Sequence, residues 1–253
     1  MSLKHLSLCS GIGGIDLAAE WAGFETVSQC EIDDYASKVL AKNFVGIPNF
    51  GDIRTITTTK LRYAGIDPNT ITVISAGFPC QPYSCAGLGK GDSDERDLWG
   101  EVIRVIRDIK PKWFIGENTQ GLFTRANQRY FRRIINDLSN AGYTVAWGMW
   151  GACDVGATHQ RLRIFIVAYS SGFRQERRLN RKQKVQNKKP TILSKLQTAQ
   201  LICSMDNLPT PRVCTGNDGI PNRVDRLRCL GNAVVPQQIY PIFKAIADYE
   251  ESL

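Results

Sequence analysis

From residue 3 to residue 170 the chain alternates between short runs of β-formers and longer stretches with apolar residues at helical spacing. "LKHLSL" reads as a first strand, "CSGIGG" as a glycine turn and "IDLAAEWAGF" as a helix. "TVSQCEI" and "DDYASKVLAKNF" repeat that strand–helix order, and a third strand is expected to end near Asp52 in "FGDIRTI". "TVISAGF" predicts a strand. "DLWGEVIRVIRDI" predicts a helix with Leu98, Val102, Val105, Ile106 and Ile109 on one face. "KWFIGEN" predicts another strand, and "QRYFRRIINDLSNAG" a helix stopped by Gly142. "YTVAWGMW" and "RIFIVAY" complete the strands. Strands separated by helices need crossover connections, so the expected class is α/β: a doubly wound, mostly parallel sheet.

The texture changes after Tyr169. "SSGFRQERRLNRKQKVQNKKP" carries eight basic residues against the single acid Glu176, and so holds most of the chain's formal net charge of +8. Such a run is either a solvated loop or a segment that tracks phosphates. Order is expected to return near "LPTPR", and "QQIYPIFKAIADYEESL" predicts a closing helix. Eight cysteines form no C-x-x-C pair and there are two histidines, so no zinc site is expected. No apolar run reaches the ~20 residues that span a bilayer, and no leader is visible. A soluble cytoplasmic protein with reduced thiols is the expectation.

The candidate functional residues gather at predicted strand ends. In "SLCSGIGG" the glycines let a ligand approach the backbone closely, and the following helix N-terminus favours polar or anionic groups. Glu31 ends the second predicted strand, where an acid can accept from ribose hydroxyls, and Asp52 falls within reach of an adenine amine. Either acid alone could be an ordinary loop residue. Cys80, in "GFPCQPYS", follows the next strand between Pro79 and Pro82. A thiol there is either buried filler or a nucleophile. Glu117 in "GEN" closes another strand, and "THQRLRIF" sets Arg161 and Arg163 on one face at the start of a strand.

In this order the segments resemble the DNA (cytosine-5)-methyltransferase family, in its small bacterial and phage-type members, which serve restriction–modification. "LSLCSGIGGIDLAAEWAGF" is similar to the first motif, "GFPCQPYS" to the nucleophile motif and "GEN" to the glutamate motif. "QRLRIF" is similar to the arginine motif and "GNAVVPQ" to the last. The resemblance implies an S-adenosylmethionine-dependent, Rossmann-like fold with a small target-recognition lobe. Residues 1–170 would be the catalytic and cofactor-binding domain, 171–228 the lobe, and 229–253 a return to the catalytic domain, with the last helix packed beside the first strand.

It further implies that Cys80 adds to C6 of a flipped-out cytosine in duplex DNA, while Glu117 holds or protonates N3. Arg163, with Arg161 in support, would steady the base. S-adenosylmethionine would lie against Cys9, Gly11, Ile12, Gly13, Gly14, Glu31, Ile32, Asp52, Ile53, Pro79, Leu98, Asn232 and Val234. Gln81, Ser84, Lys90 and Arg96 would contact DNA from the loop after Cys80, and Arg177, Arg178, Lys188 and Lys189 from the basic run. Cys9 stands where the family usually has an aromatic residue, and Thr119 follows "EN" in place of the common valine. A monomer without metal is expected, with double-stranded DNA as partner. The alternatives are an RNA (tRNA) cytosine-5 methyltransferase on the same scaffold, a catalytically silent nucleic-acid-binding relative, and a thiol hydrolase using His159.

Overall fold

The computed structural model describes residues 2–79, 97–124, 127–170 and 223–253. Among these residues, six strands form one sheet in the order β2-β1-β3-β4-β6-β5. They are β1 (Leu3–Leu8), β2 (Phe24–Ser28), β3 (Ile71–Ala76), β4 (Trp113–Thr119), β5 (Tyr143–Trp150) and β6 (Arg163–Ser170). The helices are α1 (Gly14–Trp21), α2 (Asp34–Asn43), α3 (Thr58–Tyr63), α4 (Trp99–Ile109), α5 (Gln128–Asn140), α6 (Arg223–Asn232) and α7 (Pro236–Glu251).

Three of the five strand pairings are parallel and two antiparallel, so the mostly parallel sheet read from the sequence is observed. The antiparallel pair β5–β6 follows from its connection. Residues 151–162 hold one short 3-10 turn, Cys153–Val155, and no crossover helix.

Both sheet faces are covered, which explains why the strands read as continuous apolar runs. Along β6, Ile164, Ile166 and Ala168 join the cluster formed with α3, α4 and α5, while Phe165 and Val167 join the cluster under α1 and α7. β4 alternates the same way: Phe114 faces the first cluster, Trp113 and Ile115 the second. The helix face read from the sequence holds too, since Val102, Val105, Ile106 and Ile109 are buried.

The last helix returns to the first strand as expected. Phe243 of α7 meets the ring of His5 on β1 edge-on at 5.3 Å. Under α1 and α7 that face also holds a buried polar network. His5 lies 3.0 Å from the Thr26 hydroxyl and 2.7 Å from that of Ser75. Burial lowers the His5 pKa to about 3, so the ring is neutral. Asp16 of α1 accepts from Ser7 and Gln29, and burial pushes it up to about 6.

One expected element is absent. β2 ends at Ser28, and the segment read as a third strand contributes only a bridge between Gln29 and Asn49. Pro48 has no N–H to extend a ladder, and Gly51 turns at φ 70° into the 3-10 turn Ile53–Thr55. Glu31 and Asp52 therefore sit on loops beyond the sheet edge.

The strand order reverses between β1 and β3. Crevices at the carboxyl ends of strands flanking such a reversal are where open α/β sheets bind ligands. The glycine turn leaves β1 there, and Gly77–Phe78–Pro79 leaves β3.

Candidate active site

The glycine turn is shaped by three different requirements. Cys9 and Gly11 take positive φ, 51° and 57°, reversing the chain at the end of β1. A Cβ on Gly13 would lie 2.2 Å from the Phe44 ring, and one on Gly14 would lie 2.4 Å from the Val234 carbonyl oxygen. Both glycines thus admit close packing, the second by the C-terminal segment. A Cβ on Gly11 would meet nothing within 4 Å, so the turn is open on that side. Gly13 also leaves α1 without a side-chain cap, so no side chain of the N-cap residue neutralises the positive helix end.

Glu31 holds this turn directly. Its Oε2 accepts the Gly11 N–H at 2.8 Å and its Oε1 the Asp33 N–H at 2.8 Å. Asn49 brackets the Glu31 backbone, accepting from its N–H and donating to its carbonyl. The Cys30 thiol donates to the Gly51 carbonyl at 2.9 Å. These bonds bring the three sequence-predicted cofactor segments together. Asp52 caps the 3-10 turn through the Arg54 N–H. Ile32 is 68% exposed beside the opening, whereas Ile53 is buried in the core. Ile32 also borders a polar cleft of about 510 Å³ that includes Asp33, Lys38 and Arg228, with Arg228 and Asp33 paired across it.

The second end of the site is built by β4 and β6. Their antiparallel register sets Phe165 opposite Glu117 and Arg163 opposite Thr119. Glu117 and Arg163 therefore share a face two residues apart. Arg163 Nε donates to Glu117 Oε1 at 2.9 Å, and both side chains are largely buried. Burial pushes the Glu117 carboxyl up to about 7, against the opposing pull of Arg163 and Arg161. A carboxyl with that pKa keeps its proton near neutrality and can lose it, which suits a general acid.

Asn118 points to the opposite face. Its Nδ2 donates to the Phe78 carbonyl at 2.9 Å, which ties the exit of β3 to the strand that carries Glu117. Phe78 packs against Trp99 at the start of α4, where Leu98, partly buried against the core, is the capping position. Pro79 is exposed. Cys80 and the DNA-contact candidates Gln81, Ser84, Lys90, Arg96, Arg177, Arg178, Lys188 and Lys189 lie outside the described residues.

Arg161 has a role the sequence did not signal. It precedes β6 at φ 36°. Its guanidinium donates to the carbonyls of Gly231 and Ala233, the residues on either side of Asn232. Gln238 of α7 adds a bond to the Arg161 carbonyl at 3.0 Å and exchanges bonds with Trp150. Arg161 thus joins the C-terminal segment around Asn232 to the strand that carries Arg163. Asn232 itself is exposed, and Val234 is buried over Gly14.

Among the described residues, Cys9 and Cys30 follow β1 and β2, and neither is suited to be a nucleophile. Burial raises the Cys9 pKa far above its usual value, helped by the nearby Cys30, Glu31 and Asp52. The same cause pushes Cys30 up to about 12. A thiol in either place stays protonated and inert.

Comparison with known proteins identifies the family. The family model for C-5 cytosine-specific DNA methylase matches residues 3–217. The Type II methyltransferase M.NgoBI of Neisseria gonorrhoeae is 39% identical over 171 residues, covering 66% of this chain and 50% of that protein. M.HaeII of Haemophilus aegyptius, another Type II methyltransferase, is 37% identical over 167 residues, covering 66% and 50%. The chain spans about half the length of the bacterial relatives it matches. Among solved structures, a DNA modification methyltransferase encoded within an E. coli prophage superposes with a TM-score of 0.59 at 26% identity, covering 68% of this chain and 48% of that one. Spodoptera frugiperda DNMT2 shares the fold, with a TM-score of 0.55 at 24% identity over 67% of this chain and 50% of its own. The family match spans most of the sequence and includes both ends of the site, and the chain belongs to the C-5 cytosine-specific DNA methylase family.

Proposed function

We propose that this chain transfers a methyl group from S-adenosylmethionine to C5 of a cytosine flipped out of duplex DNA. The observation that carries the reading is the buried Glu117–Arg163 pair, whose neighbour Asn118 holds the carbonyl two residues before Cys80.

The residues around the glycine turn fit the cofactor. Gly11 leaves open space, α1 presents an uncapped N-terminus, and each Glu31 oxygen accepts one backbone N–H, leaving lone pairs for the two ribose hydroxyls. Asp52 would take the adenine amine. Ile32, Pro79, Leu98, Asn232 and Val234 would line the remainder, with the backbone of Cys9, Ile12, Gly13, Gly14 and Ile53. When bound, S-adenosylmethionine supplies an electrophilic methyl group.

The chain's own residues make cytosine reactive. C5 is a poor nucleophile until C6 carries a substituent. The Cys80 thiolate adds to C6 while Glu117 delivers its proton to N3, so the ring becomes an electron-rich enamine with its density at C5. Arg163 fixes the Glu117 carboxyl in the plane this transfer needs. After methylation a base takes the C5 proton, N3 returns its proton to Glu117, and elimination frees Cys80 as the thiolate. Reaching C6 requires extruding the base, at a cost of a few kcal/mol. Residues 1–170 and 229–253 form the catalytic domain, and 171–228 form a small lobe that reads the duplex.

Labelled S-adenosylmethionine offered with duplex DNA or with tRNA tests the assignment. Transfer to DNA is expected, and transfer to tRNA alone would overturn it.

The two arginines should separate by their effects. Arg161→Ala is expected to weaken S-adenosylmethionine binding without DNA by about tenfold, the scale of lost hydrogen bonds from a charged donor. Arg163→Ala is expected to leave that binding unchanged and to depress kcat. Equal cofactor affinity in both variants, measured by titration calorimetry, would remove Arg161 from the cofactor segment.

The basic run has a salt signature. Neutralising Arg177, Arg178, Lys188 and Lys189 together should reduce the slope of log K against log salt by about 3.6, at roughly 0.9 per phosphate contact. An unchanged slope would mean that these cations only face solvent.

A further inference from the structure

The 3-10 turn after Asp52 is short: the Thr55 N–H donates to the Asp52 carbonyl and the Ile56 N–H to the Ile53 carbonyl, and the Thr55 hydroxyl adds a bond to the Asp52 carbonyl. Ile53–Thr55 is a single short turn, and turns of this kind have poor hydrogen-bond geometry. Upstream it is tethered by the Cys30–Gly51 bond. Downstream Lys60 Nζ donates to the Thr55 hydroxyl at 2.6 Å, and the backbone carbonyls are held by one side chain from α4. Arg104 Nη1 donates to the Ile56 carbonyl at 2.9 Å, and its Nη2 donates to the Ile53 carbonyl at 3.0 Å. The guanidinium is aimed by its own helix. Glu101 takes the Nε at 2.7 Å, and Asp108 takes Nη1 at 3.3 Å. Ile53 and Ile56 are buried beneath. The turn is therefore gripped by apolar side chains on one side and by Arg104 on its carbonyls. The same helix opens at Leu98, beside the other wall of the proposed cofactor site.

We propose that Arg104 is a positioning residue for the adenine end of the cofactor site, setting the aim of the Asp52 carboxylate by bridging the carbonyls at both ends of the turn. This rests on the cofactor assignment above. Arg104 touches neither cofactor nor base; it acts through Asp52. Lysine cannot replace it, because one ammonium lacks the planar fork that spans two carbonyls.

The test compares S-adenosylhomocysteine with its inosine counterpart, in which the six-position amine is replaced by a carbonyl. Affinities are measured by calorimetry on the full chain. The wild type is expected to prefer the adenosyl compound strongly, since a site built to accept from an amine rejects an acceptor there. Arg104→Ala should lower that preference by about tenfold, one charged hydrogen bond's worth, while inosyl affinity stays nearly constant. Arg104→Lys, which keeps the charge and the stem, should lower it in the same direction, and it carries the test if the alanine variant unfolds. Asp52→Ala should remove the preference, and adding Arg104→Ala to it should remove nothing more.

Equal weakening of both ligands in the Arg104 variants would make Arg104 a general stabiliser and overturn the proposal. An undiminished preference in Asp52→Ala would overturn it by taking Asp52 off the amine. If the wild type bound neither compound, the cofactor reading itself would fail and the proposal with it.

Discussion

Cys80→Ala is expected to abolish methyl transfer, by on the order of 10⁴-fold or more, as removal of an essential nucleophile does in other covalent enzymes. Cofactor binding should be retained. Without a substituent at C6, cytosine offers C5 no electron density to attack the methyl group, so no partial pathway remains. A neighbouring thiol will not substitute. Cys9 and Cys30 follow β1 and β2, but burial holds both thiols in the protonated form. The chain leaving β3 is also constrained, because Asn118 holds the Phe78 carbonyl and the Pro79 ring fixes its own φ. Duplex DNA containing 5-fluorocytosine provides the direct readout. Fluorine at C5 cannot leave as a proton does, so elimination stalls and the protein stays bonded to the base. The wild type should form an adduct that survives denaturing electrophoresis, dependent on S-adenosylmethionine. Cys80→Ser should form none. An adduct in the serine variant would assign the attack to another residue.

Much of this site was legible because it lies where apolar runs end. β3 and β4 are buried on both faces, so their strands stand out as unbroken hydrophobic stretches, and Glu117 is conspicuous as a carboxylate closing one of them. The glycine turn announced itself similarly after β1. The expected strand before Asp52 failed for a pairing reason. Only Gln29 and Asn49 meet, and a proline and a glycine with positive φ interrupt the rest. The roles of Arg104 and Arg161 were invisible for a different cause. Their acceptors are backbone carbonyls roughly 50 and 70 positions away, and every residue has a carbonyl, so no letter marks the target. Ile32 and Ile53 read alike in sequence as well. Only the turn that follows Gly51 sends Ile53 into the core and leaves Ile32 exposed.

Glu117→Gln is expected to lower kcat by about 10² to 10⁴-fold, the range for a lost general acid or base, and to change the shape of the pH profile. Burial raises the Glu117 pKa to about 7 from an ordinary value near 4.5, so below neutrality the carboxyl carries the proton that N3 needs. As pH rises through 7 that proton is lost and kcat/KM should fall. The Cys80 thiolate has the opposite demand and becomes more abundant with pH, so the wild-type profile should be bell-shaped, its alkaline limb set by the free enzyme's Glu117. Glutamine can donate a hydrogen bond to N3 but has no proton to transfer and nothing to titrate. Residual activity in Glu117→Gln should therefore climb with pH until the thiol is ionised, with no alkaline decline near 7. S-adenosylmethionine affinity should be unchanged, because in the proposed function Glu31 and the glycine turn would bind it independently of this carboxyl. A variant that kept the wild-type alkaline limb would show that another group supplies the N3 proton. The Arg163 interaction sharpens the test. Arg163 Nε sits 2.9 Å from Glu117 Oε1 and favours the ionised carboxyl, so Arg163→Ala should raise the Glu117 pKa and move the alkaline limb to higher pH.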